Sequence, residues 1–156
     1  MAELRLEELV EDEGVVLWGL LGNVYRVINE RLRHDIHEAT GLDGSEFEFL
    51  LRLARFPDAR GMATRVGEQM GFTSAGTTKL VARLVRKGLV VRSPDPEDGR
   101  AYLVELTGEG RRLLRAGIEA HTPRLDDEVL GPLTPAQRRQ LHALLTRVDP
   151  TLRGER

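Results

Sequence analysis

Between Val15 and Ala39, apolar residues fall at Leu17, Leu21, Val24, Ile28, Leu32 and Ile36. That three-and-four spacing keeps them on one stripe of a long helix. Trp18, Leu20, Tyr25 and Val27 widen the stripe beyond what one small core requires. A second helix is predicted from Asp43, with Glu46 completing a capping box. It turns Phe47, Leu50, Leu51 and Ala54 inward and stops before Pro57. Asp58 to Gly61 reads as a loop. A short helix follows from about Arg65 to Met70, closed by Gly71. Thr73 or Ser74 then caps a longer helix that runs to Lys87 and stops at Gly88. Leu89–Ser93 and Ala101–Leu106 carry β-forming residues on either side of Pro94-Asp95-Pro96-Glu97-Asp98-Gly99, which is dense turn chemistry, so they are predicted to form a hairpin. Thr107 opens a helix bearing Leu113, Leu114 and Ile118 that breaks near Pro123. The last helix has Thr134 as cap, Pro135 at the first helical position and Gln137 as box partner, with Leu141, Leu144, Leu145 and Val148 as its stripe.

Composition narrows the possible chemistry. The 156 residues are 40% hydrophobic and 31% charged, as in a globular protein, with only 4% aromatics. Cysteine is absent, which excludes a disulfide scaffold, a thiolate metal site and thiol-based redox sensing. The longest apolar run, Val15–Leu21, is far short of the roughly 20 residues that span a bilayer. The acidic start is unlike a signal peptide, so a cytoplasmic protein without a membrane partner is expected.

The net charge of −2 hides an asymmetry. Met1–Gly14 holds six acids and one base, whereas Thr64–Arg92 holds six bases (Arg65, Lys79, Arg83, Arg86, Lys87, Arg92) and one acid, Glu68. Binding follows the local field rather than the total. The order short helix, Gly turn, basic helix, strand, turn, strand is that of a winged helix-turn-helix. The expected fold is therefore mostly α with a small β-hairpin wing. On the basic helix, Thr77, Leu80, Val81 and Leu84 would pack on the domain. Ala75, Thr78, Lys79, Ala82, Arg83 and Arg86 would face outward. Small, hydroxyl and cationic side chains suit a helix lying close in a major groove: Thr78, Lys79 and Arg83 would reach base edges, and Arg86 and Lys87 phosphates. Arg100, beside Gly99 at the wing tip, suits a narrow minor groove. Asp98 would orient Arg100 or Arg92.

From about Val66 to Thr107 the sequence resembles the multiple-antibiotic-resistance regulator (MarR) family. The helix-turn-helix stretch VGEQMGFTSAGTTKLVARLVRKGLVVR and the wing SPDPEDGRAYLVELTGEGRRLL carry the resemblance, DPEDGR followed by a strand and LT being the most specific part. It implies a homodimer that regulates transcription, usually by repression, on a palindromic operator in double-stranded DNA. It also implies DNA contacts from Ser74, Thr77, Thr78, Lys79 and Arg83, and from the wing residues Asp98 and Arg100. Gly67 departs from the Ala usual in the family, and Gly76 from a hydroxyl residue. The expected organisation is an acidic segment and dimerisation helix over 1–40, the winged helix-turn-helix over 41–106, and C-terminal dimerisation helices over 107–156. The wide apolar faces of the first and last helices exceed what one winged helix can cover, which independently suggests a symmetric partner.

Family members often bind small anionic or phenolic effectors between the dimer helices and the DNA-binding lobe. Here Trp18, Tyr25, His34 and His37 would line such a pocket; Trp18 and Tyr25 equally suit a core or dimer interface. His34 and His37 share a helix face and could bind a metal with a carboxylate such as Glu38, but two histidines at that spacing are weak evidence and read first as a solvated face, so no metal and no cofactor is assigned. The sequence contains no Gly-rich phosphate loop, GxSxG or HExxH motif, and no enzymatic activity is expected. The competing reading is a winged helix used only for protein contacts, which the cationic face of the basic helix disfavours.

Overall fold

A computed structural model describes residues 5–95 and 102–149. A short helix, α1 (Leu6–Val10), leads into α2 (Glu13–Thr40), where Asp12 accepts hydrogen bonds from the Gly14 and Val15 amides at 2.9 and 3.3 Å. Gly41 ends α2 in the left-handed conformation at φ 69°. Asp43 caps α3 (Gly44–Leu53) through the expected box with Glu46. A single 3₁₀ turn at Pro57–Ala59 leads to β1 (Arg60–Met62), α4 (Ala63–Gln69), α5 (Ser74–Arg86), β2 (Val90–Pro94) and β3 (Tyr102–Leu106). The chain closes with α6 (Gly108–Leu125), a π-helical turn at Asp126–Leu130, and α7 (Pro135–Val148), capped by Thr134 and Gln137.

The sheet is antiparallel in the order β1–β3–β2, with Gly61 opposite Val104 and Arg92 opposite Val104 on the other side. The predicted loop over Asp58–Gly61 is thus partly a strand. Three residues are too few to display alternation, and β1 exists because β3 offers it a free edge. Pro123 does not break α6. Arg124, just beyond it, donates to Asp35 of α2 at 2.5 and 2.9 Å and to Glu128 at 2.8 Å, and Arg31 reaches Glu128 at 2.7 Å. These pairs hold the proline-containing end on α2, overriding the local preference. The hydrogen bonds from Arg124 lower the pKa of Asp35 despite burial, and those from Arg124 and Arg31 lower that of Glu128.

The core lies among α3, α4, α5 and the sheet, where Phe49, Leu50, Leu53, Val66, Leu84 and Val104 are fully buried. Ala54, expected inside, is exposed; Phe49 and Leu53 take the inward positions. Only the C-terminal end of the α2 stripe reaches this core, through Ile36, while Leu17, Leu21, Val24 and Tyr25 stay exposed. No residue of α7 is buried.

Candidate nucleic-acid interface

The helix-turn-helix is set by two glycines with different duties. Gly71 takes φ 68°, turning the chain between α4 and α5. Gly67 lets the two helices close: a methyl group there would overlap the Thr77 hydroxyl. Thr73 caps α5 by accepting from the Gly76 amide at 3.2 Å. Thr77, Leu80, Val81 and Leu84 are buried, in the expected phase.

On the outer side, Ser74, Ala75, Thr78, Lys79, Ala82 and Arg86 are exposed. Thr78 donates to the Ser74 carbonyl at 2.9 Å, leaving its oxygen free to accept. Thr77 is only 4% exposed and donates to the Thr73 carbonyl at 3.1 Å. It belongs to the packed face, at the edge of the cleft that Ser74 and Thr78 also border. Arg83 is turned onto the start of α3: its Nη2 is 2.9 Å from Asp43 Oδ2 and donates to Ser45 Oγ at 3.1 Å, and its Nε lies 3.1 Å from Glu46 Oε1. Lys87 donates to Glu46 Oε2 at 2.7 Å. Burial pushes the Asp43 pKa up, but hydrogen bonds from Ser45 and the Glu46 amide, with the Arg83 charge, leave it lowered.

Arg92 adds a cation that helix periodicity could not place. Its guanidinium carbon stands 3.6 Å over the Tyr102 ring, joining β2 to β3. Both residues border a cleft of about 300 Å³ between sheet and helices, with Thr64, Ser74 and Thr78 opposite. The alternation of the two strands was the available signal, since Arg92 and Tyr102 are close on neighbouring strands. Asp98 and Arg100 lie outside the described residues.

Of the expected effector residues, Tyr25, His34 and His37 border one open groove of about 630 Å³ with Arg26, Arg33 and Asp43. Trp18 is not on that groove and is 77% exposed. His34 Nε2 lies 3.5 Å from Glu38, and His37 Nδ1 is 3.2 Å from the Leu42 carbonyl oxygen. Among the described residues, no helix is long and apolar enough to cross a membrane.

Comparison with known proteins gives the interface its context. A family model described as the MarR family matches residues 40–101. The HTH-type transcriptional regulator PecS of Dickeya dadantii is 30% identical over 146 residues, covering 92% of this chain and 86% of PecS. Sco3205, a MarR family regulator from Streptomyces coelicolor solved in complex with DNA, superposes with a TM-score of 0.81 at 24% identity, covering 99% of this chain and 95% of that one. A mutant MarR from Escherichia coli, solved with operator DNA, gives 0.66 at 25% identity over 83% of this chain and 94% of that one. The fold and this relationship agree: the chain belongs to the MarR family of winged helix-turn-helix transcriptional regulators.

Proposed function

We propose that the protein is a repressor that binds a palindromic operator as a homodimer. In this reading α5 lies in the major groove, Ser74, Thr78 and Lys79 face base edges, and Arg86 and Arg92 face phosphates. The observation that carries it is the outer face of α5, where hydroxyl, small and cationic side chains stand exposed beside the stacked Arg92. Arg100 and Asp98 complete the wing contact as the family resemblance implies. The apolar residues left exposed on α2 and α7 supply the dimer surface. The groove at Tyr25, His34 and His37 is suited to a small phenolic or anionic effector, with Arg26 and Arg33 as counter-charges. No catalytic role is proposed.

Selection from a random duplex library tests this, followed by anisotropy titration of the selected site against salt and a scrambled competitor. The expected result is an inverted repeat with half-sites about one helical turn apart, bound with a steep salt dependence, whose occupancy lowers transcription from an overlapping promoter. Binding that scrambled DNA competes equally would favour a winged helix serving protein contacts.

A further inference from the structure

Two of the cations contributed by α5 and its last turn, Arg83 and Lys87, are already paired with carboxylates although about 40% of each side chain is exposed, and the groups that hold them are unusual. Glu46 is 0% exposed. Its Oε2 accepts from the Asp43 amide at 3.0 Å and from Lys87 Nζ at 2.7 Å. Its Oε1 and the Arg83 Nε are both buried and face each other at 3.1 Å without a well-aligned hydrogen bond. A buried carboxylate needs its counter-charges, because stranding it costs far more than an exposed pair returns. Arg83 is bound a second time by Asp43 Oδ2 at 2.9 Å. The arrangement is therefore a two-acid, two-base cluster that pins the inner edge of α5, while Lys79 and Arg86 on the outer edge carry no such carboxylate partner among the described residues.

We propose that Asp43 and Glu46 are specificity-determining positioning residues that withhold Arg83 and Lys87 from DNA. Sequence-independent affinity scales with the number of phosphates neutralised. Two extra free cations on α5 would raise binding to every sequence alike and erode discrimination. With them neutralised internally, the helix approaches DNA through Lys79, Arg86 and its hydroxyls, and base contacts decide where it stays. This rests on the DNA-binding reading above, and it makes Arg83 a structural cation rather than a base reader.

The test is anisotropy of the full chain on a random-sequence duplex and on the selected site, each titrated with KCl. Asp43→Asn keeps an oxygen to cap α3 but removes the charge. It is expected to tighten binding to the random duplex about threefold or more at low salt and to steepen the log K against log salt slope by about one, for Arg83 alone. Affinity for the selected site rises less, so the ratio between the two falls. Arg83→Gln leaves the slope at the wild-type value, and Asp43→Asn combined with Arg83→Gln returns it there. A merely structural Asp43 would weaken both duplexes alike with no change of slope, and that result overturns the proposal. So does a slope that falls by about one in Arg83→Gln, which would make Arg83 a phosphate contact. Glu46→Gln would release Lys87 as well as Arg83 but also alters a fully buried group and the α3 capping box, so the test stands on Asp43 and Arg83. Wild-type protein that binds neither duplex would overturn the DNA reading itself, and this one with it. Wild-type binding with unmoved variants defeats only the withholding.

Discussion

Gly67 and Thr77 meet where α4 crosses α5, and each explains the other. A threonine at the centre of the packed face needs space for its branched side chain, and the glycine opposite provides it. Gly67→Ala forces an overlap in a core that has no room to yield, at about 1–3 kcal/mol. The expected outcome in a thermal melt is a fall of several degrees. Adding Thr77→Ala should recover much of the loss, since the two changes share one contact; a double variant with the sum of the single losses would show that they do not interact. Thr77 was legible as a packing residue from its spacing with Leu80, Val81 and Leu84. The contact role came from resemblance alone, and spacing carries no signal for it. The partners of Arg83 could not be read in the same way. Periodicity puts Arg83 near Lys79 and Arg86, while Asp43 and Glu46 come from another helix far away in sequence.

At the level of elements, helix caps and glycine stops were the clearest signals, because each is a local side-chain-to-backbone arrangement. The boxes at Asp43/Glu46 and Thr134/Gln137 both form. The errors arose where distant contacts override local preference, at β1 and at Pro123. The α2–α6 clamp behind Pro123 has a pH signature. Asp35 and Glu128 have lowered pKa values through their hydrogen bonds to Arg124. Their contribution to stability is therefore fully present above the unfolded carboxylate values of about 4 and is lost as pH falls through the lower folded values. Arg124→Gln should melt below wild type at pH 7, and the gap should close as pH falls below about 4. A gap that stays constant down to pH 2 would mean that the clamp contributes packing rather than charge.

For the whole molecule, the winged helix holds most of the buried core, with Ile36 of α2 and Leu114 of α6 reaching into it, and the far ends of the arms stay uncovered. Leu17, Leu21 and Val24 on α2, with Leu144 and Leu145 on α7, remain exposed within one chain. An exposed apolar surface of this kind calls for a partner, and the proposed homodimer supplies one. Leu145→Glu is expected to shift the sedimenting species from two chains to one and to reduce binding to an inverted-repeat site far more than to a single half-site. A wild-type chain that sediments alone at micromolar concentration would remove the dimer from the proposal. The width of the α2 stripe and the leucines of α7 made this surface legible in the sequence, because they exceeded what one small core can absorb.

A helix of fourteen residues with nothing buried is marginal by itself in water. If a second copy is what covers α7, completing the structure is a bimolecular event and the supply of chain becomes an input to it. While most chains are single, halving the amount made reduces the paired form about fourfold by mass action. Gene dosage would then be amplified before any DNA is touched.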